Sequence, residues 1–222
     1  MDTKNIIKEL VTKRLSSLVE DELDGSNIQQ RGAGDKIEKI ISDHVVSMDT
    51  GVVDILLESA SSNRSMEDFQ LTKGDQVYKF DIKTRDVGKD FSMPNLGSID
   101  RIRKFYENIN NHMLYVFVTY DNTHLDGEKV ITILDIKVVC MEELDWSILT
   151  IGNLGKGQLQ IKNMKNDLVY TDMGRENWYI ELLRRGYFHY ENTEGKSREN
   201  KNEWGVHLDY RCKLKQHTVV YE

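Results

Sequence analysis

Asp68, Asp81 and Lys83 are the residues of this 222-residue chain whose types and spacing could do chemistry. They lie in Glu67-Asp68-Phe69-Gln70-Leu71-Thr72-Lys73-Gly74-Asp75-Gln76-Val77-Tyr78-Lys79-Phe80-Asp81-Ile82-Lys83, which reads as two strands joined at Gly74-Asp75. A two-residue loop with glycine first suits a type II′ hairpin turn, and the turn sets the register. Lys73 then faces Gln76, Leu71 faces Tyr78, Phe69 faces Phe80 and Asp68 faces Asp81. In that register Leu71, Tyr78, Phe69 and Phe80 share one face, the pattern of a half-buried hairpin. Asp68, Asp81 and Lys83 share the opposite face.

Carboxylates directly across a strand pair lie about 5 Å apart at their Cβ atoms and repel, so a positive group is expected between them. Mg²⁺ is the natural occupant, because it takes one or two carboxylates and completes its shell with water and phosphate oxygens. Such an ion would polarise a phosphate, acidify water and steady a leaving oxygen. Lys83 would orient the attacking water or offset the charge that develops in the transition state. Two acids and a lysine on one strand face describe a phosphodiester-hydrolysis site. The same spacing also fits an exposed hairpin face on which Lys83 only neutralises Asp81, and spacing alone leaves both open.

The surrounding elements must position these residues. Ile6, Ile7, Leu10, Val11, Leu15, Leu18 and Val19 form one apolar stripe, predicting an amphipathic helix that ends near Gly25. After the turn-like Arg31-Gly32-Ala33-Gly34, the stripe Ile37, Ile40, Ile41, His44 and Val45 predicts a second helix, with Glu38 beside it and His44 a partly buried residue of no special role. Val52–Leu57 reads as a short strand and Ser59–Ser65 as a polar loop. Ser98 suits the N-cap of a helix through Ile99, Ile102, Phe105 and Tyr106 that stops in the Asn108–Asn111 stretch. Leu114–Tyr120 and Val130–Val139 are strand-like. Ile151–Lys165 suggests a glycine-rich loop entering a short strand, and Arg175–Arg185 a helix with Trp178, Leu182 and Leu183 inward. Glu191–Glu203 is polar enough to predict an exposed loop. The expected fold class is α/β (α+β), a central mixed sheet flanked by helices, in one domain spanning 1–222.

Composition agrees with one packed domain: 39% hydrophobic and 30% charged residues. Neither a signal peptide nor an apolar run of membrane length is visible, so a soluble, cytoplasmic protein is expected, with no membrane partner. Cys140 and Cys212 are too few and too far apart for a disulfide framework or a metal cluster, and are expected to be reduced thiols. The net charge of −7 excludes a uniformly basic nucleic-acid binder. It does not exclude a nuclease, which concentrates carboxylates at its site and needs only one basic face. Candidates for that face are Arg101, Arg103 and Lys104, then Arg184 and Arg185, then Lys196, Arg198 and Lys201, each of which also fits a solvated charged surface.

Asp68 followed by Asp81-Ile82-Lys83 on a hydrophobic strand resembles the PD-(D/E)XK nuclease signature in its D-X-K variant, as in EcoRV-like type II restriction endonucleases. Glu67 stands where that family often has proline. Glu38 resembles the additional helical acid that many of these enzymes place near the metal. Ser92-Met93-Pro94-Asn95-Leu96-Gly97-Ser98-Ile99, leading to a helix and the Leu114–Tyr120 strand, resembles the segment that follows the catalytic strand. The resemblance runs from about Arg31 to Tyr120. It implies a restriction-endonuclease-like mixed sheet, a homodimer acting on double-stranded DNA in a prokaryotic cytoplasm, Mg²⁺ dependence and 5′-phosphate products. It assigns catalysis to Asp68, Asp81, Lys83 and Glu38, and metal binding to Asp68, Asp81 and Ile82. Asp54 is the chief rival for the first carboxylate and Glu58 a weaker one.

Base reading is expected in Gly152-Asn153-Leu154-Gly155-Lys156-Gly157-Gln158-Leu159-Gln160. Its glycines permit close approach, Asn153, Gln158 and Gln160 carry amides able to pair bidentately with adenine, and Lys156 adds charge. Gln158 and Gln160 would point to one side of a strand, and a flexible surface hairpin remains equally open. Arg101, Arg103 and Lys104 are the candidates for holding phosphates. A structure-specific repair or recombination nuclease of the same fold, and a non-enzymatic acidic interaction domain, are the competing readings.

Overall fold

The structure is a computed structural model and describes residues 3–24, 32–48, 55–60, 65–90, 93–125, 128–152, 157–164, 167–191 and 197–214. In chain order it contains α1 (Thr3–Leu15), β1 (Glu22–Asp24), α2 (Gly32–Val46), β2 (Ile55–Ser59), β3 (Phe69–Lys73), β4 (Gln76–Asp86) and β5 (Asn95–Ser98). There follow α3 (Ile99–Tyr106), β6 (Asn111–Leu125), β7 (Glu128–Cys140), β8 (Leu149–Gly152), β9 (Gln158–Ile161), α4 (Arg175–Glu191) and α5 (Ser197–Leu214). The expected single domain divides into two compact units, interleaved in sequence: 1–94 with 109–141 and 163–167, and 95–108 with 142–162 and 168–222.

The first unit is built on a six-stranded sheet in the order β1-β7-β6-β4-β3-β2. β4 and β6 pair in parallel and every other neighbour is antiparallel, which makes the sheet mixed. A parallel pair needs a long crossover, and the chain makes it through β5 and α3. One sheet face carries Phe69, Leu71, Tyr78, Phe80, Ile82, Leu114, Val116 and Val118. Ile7, Val11 and Leu15 of α1 and Ala33, Ile37, Ile41 and Val45 of α2, each series spaced by four, close over it in one core cluster.

The first helix is shorter than its apolar stripe predicts. It stops at Leu15 and gives way to a 3₁₀ turn over Ser16–Leu18. The Ser16 and Ser17 hydroxyls donate back to the carbonyls of Lys13 and Arg14, competing with continued helical hydrogen bonding. Glu20 at φ +70° then turns the chain, and Glu22–Asp24, read as helix from sequence, becomes an edge strand paired with Val130–Thr132.

The second unit holds a three-stranded antiparallel sheet, β5-β9-β8, with α3, α4 and α5. Trp178, Tyr179, Leu182 and Leu183 of α4 are fully buried. The polar stretch expected as a loop up to Glu203 instead enters α5, which buries Trp204, Leu208 and Cys212 at a spacing of four. Gly186 permits this packing, since a Cβ there would lie 2.2 Å from the Trp204 ring. No helix of the described residues is long and apolar enough to cross a membrane.

Candidate active site

Gly74 has φ +60° and no positive φ occurs at Asp75, as a type II′ turn requires. The hairpin register is the one the turn predicts: Lys73↔Gln76, Leu71↔Tyr78 and Phe69↔Phe80. The Phe69 and Phe80 rings stack at 4.7 Å, locking that end of the ladder. One residue further the expectation changes. Asp68 does not pair with Asp81 in the ladder. Its N–H donates to the Phe80 carbonyl at 2.8 Å, and its carboxylate Oδ2 accepts the Ile82 N–H at 2.6 Å. The hairpin therefore delivers Asp68 to β4, held by a main-chain donor instead of by strand register.

Alternation along β4 puts Lys79, Asp81 and Lys83 on the face opposite Phe80 and Ile82. Lys83 Nζ lies 2.6 Å from Asp81 Oδ2, and both side chains are about four-fifths buried. Burial pushes the Asp81 carboxyl up to about 7. Lys83 opposes that shift, and the charges of Asp68 and Glu38 add to it. Glu38, on α2, rises to about 6 through burial and repulsion from Asp68, with Lys83 again opposing. The four residues singled out for catalysis thus occupy one electrostatic neighbourhood within the first unit. Three carboxylates face one ammonium there, an imbalance that a divalent cation would correct.

Hard oxygen donors and surplus negative charge fit Mg²⁺. Among the described residues no group of three or more His, Cys, Asp and Glu side chains is arranged to hold a metal. A cation would therefore use Asp68 and Asp81 and complete its shell with main chain, water or substrate, the habit of Mg²⁺. The Ile82 side chain is fully buried, which leaves its main chain as the only contribution that residue could make.

Glu38 and Asp68 open to solvent through a cleft of about 590 Å³ that Ser42, Ser59, Ser65 and Glu67 also line. Sequence reasoning gave no role to the three serines. Glu67, noted there only as a departure from proline, is 8% exposed and accepts from Lys79 Nζ at 2.8 Å. Tyr115, beside Asp81 in the parallel β4–β6 register, is fully buried, and burial together with the Asp81 charge holds its phenol well above the usual range. Only the β4–β6 pairing brings it there, a contact the sequence did not announce. Glu58, the weaker rival acid, accepts from Gln70 across β2–β3. Asp54 lies outside the described residues.

The candidate recognition residues belong to the second unit. Gln158 and Gln160 do share one face of β9, where Gly152 and Thr150 of β8 oppose them. Gln160 is 8% exposed, and a Cβ at Gly152 would lie 2.2 Å from its Oε1, so this amide rests against the bare glycine backbone. Asn153 and Lys156 lie outside the described residues. Arg101 and Lys104 are exposed on α3. Arg103 is 1% exposed and paired with Glu107 and Glu203, which corrects its assignment to phosphate binding. Helical periodicity turns it inward with Ile99, Ile102 and Tyr106.

No protein-family model matches the chain, and no curated protein matches its sequence. Comparison with solved structures finds similarity to NlaIV restriction endonuclease, with a TM-score of 0.56 at 10% identity over 100% of this chain and 93% of that one. At that identity the likeness is one of architecture. The chain has a restriction-endonuclease-like fold, a mixed sheet flanked by helices.

Proposed function

We propose that the protein is a Mg²⁺-dependent type II restriction endonuclease of the D-X-K, EcoRV-like kind, hydrolysing double-stranded DNA to 5′-phosphate ends. The supporting observation is the meeting of Glu38, Asp68, Asp81 and Lys83 in a restriction-endonuclease-like fold, with more negative charge than Lys83 can balance. Asp68 and Asp81 would hold the ion with the main chain of Ile82. Lys83 Nζ, anchored on Asp81, would orient water and bind the scissile phosphate. Glu38 supplies the third acid, on a helix that the core fixes against the sheet. Gln158 and Gln160 are the candidates for adenine contacts, with Arg101 and Lys104 on phosphates. Homodimer formation and a prokaryotic cytoplasm belong to the same proposal.

Incubating the chain with supercoiled plasmid and Mg²⁺, then sequencing the ends, tests it. Discrete fragments with 5′-phosphates are expected. Cleavage confined to branched junctions would favour a repair nuclease of the same fold. Intact DNA with every divalent ion tried would leave an acidic interaction domain.

A further inference from the structure

The second unit contains a pocket of about 370 Å³ at the edge of β8, walled by Trp146, Ile151, Lys162, Arg185, Phe188 and His189. That volume falls in the roughly 300–1,000 Å³ range of small-molecule sites. Two cations and no carboxylate are among its lining residues, which favours an anion. Glu181 is shared by Arg184 and Arg185, and the charge of Asp145 also acts on Arg185, so the local acids offset the two guanidinium groups and leave Lys162 as the pocket's spare cation. Lys162 Nζ spends one of its three donors on the Ser147 carbonyl at 2.7 Å.

The aromatic side is equally specific. Arg185 lies 4.8 Å over the Trp146 ring while Glu181 holds its Nε at 2.6 Å, so its guanidinium plane is fixed. The Trp146 indole is 5% exposed, with Trp178 stacked against it at 4.9 Å, so it backs the guanidinium instead of receiving a ligand ring. Its Nε1–H has no hydrogen-bond partner among the described residues, although buried indole donors normally find one. Phe188 adds a second ring. Among the described residues β8 is the outermost strand of its sheet, so one edge of its backbone is not used in strand pairing there.

We propose that this pocket binds a nucleotide unit, one base stacked on the Phe188 ring and the Arg185 guanidinium plane and one phosphate held by Lys162. Stacking on such planes and charge-assisted contacts to phosphate are how unpaired nucleotides are held. The pocket lies apart in sequence from the acids of the candidate active site, and the proposal does not depend on cleavage. A free mononucleotide and an unpaired nucleotide of a DNA strand present the same chemistry.

Binding is measured with the full-length Asp81→Asn protein, chosen because the proposed function expects it to leave DNA intact, by calorimetry and by ligand-dependent melting. The probes are the four deoxynucleoside monophosphates, their nucleosides, and a short single-stranded oligonucleotide. Monophosphates are expected to bind about tenfold or more tighter than nucleosides, and Lys162→Gln and Phe188→Leu each to weaken them by a similar factor while still melting cooperatively. Tighter binding of the oligonucleotide, lost in the same variants, would identify a DNA strand as the source, and tighter binding of the monophosphate a free nucleotide. Absence of binding by both forms, or undiminished binding by the doubly substituted Lys162→Gln/Phe188→Leu protein, would overturn the proposal.

Discussion

Strands β4 and β9 are each apolar on one face and polar on the other, yet their polar faces are built in opposite ways. β4 buries Phe80 and Ile82 and sets Lys79, Asp81 and Lys83 opposite them, all charged and largely covered. β9 buries Leu159 and Ile161, and its other face carries two neutral amides, Gln158 half-buried and Gln160 buried against the Gly152 backbone, neither with a side-chain hydrogen bond among the described residues. Covered charges cost desolvation energy that pairing only partly offsets, which is why Asp81 remains perturbed even with Lys83 at 2.6 Å. A neutral amide costs far less to cover than a charge does. The difference shows a fold that stores electrostatic tension in one sheet and spare hydrogen-bonding capacity in the other.

The comparison breaks most completely at Phe80. Phe80→Ala removes a fully buried ring stacked on Phe69, and should cost about 3–5 kcal/mol and take any cleavage with it. An unchanged melting temperature would mean that this face of β4 is not the core. On the opposite face, Asp81→Ala and Lys83→Ala should abolish plasmid cleavage while shifting the melt far less than Phe80→Ala does. A wild-type cleavage rate in either variant would remove that residue from the reaction.

Asp68→Asn is a finer probe of the tension in the charged face. Asparagine keeps an oxygen able to accept the Ile82 N–H, so the local backbone should hold while the repulsion of Asp81 falls. Without metal the variant should melt at or above the wild-type temperature, and Ca²⁺ or Mg²⁺ should raise its melt less than they raise wild type. Asp54→Asn is the control: a metal response lost there and kept in Asp68→Asn would transfer the first-carboxylate role to Asp54. The smallest effect belongs to β9. Gln158→Ala should leave melting nearly unchanged and Gln160→Ala should lower it modestly through lost packing on Gly152. Each should relax sequence preference at adenine positions by about 1–3 kcal/mol per lost bidentate contact, read as fragments cut at sites differing there. Unaltered fragment patterns would place base reading elsewhere.

What the sequence determined by itself was local. The Gly74-Asp75 turn and strict alternation dictated the register from Lys73↔Gln76 to Phe69↔Phe80, and hence which face carries Asp81 and Lys83. Apolar residues at helical spacing foretold α2 and α3, because period and propensity there point the same way. α5 escaped notice because only Trp204, Leu208 and Cys212 mark its buried stripe, amid residues otherwise polar enough for a loop. Tertiary structure alone decided the rest. It pairs Glu22–Asp24 with a strand more than a hundred residues away, turns Arg103 inward onto two glutamates, and sets Tyr115 beside Asp81. It also lifts Asp68 out of the ladder onto the Ile82 amide and brings its charge, with that of Glu38, to bear on Asp81. Spacing along a chain can place a side chain on a face, but how many charges share a buried volume depends on which distant segments pack there, and that is a property of the assembled sheet.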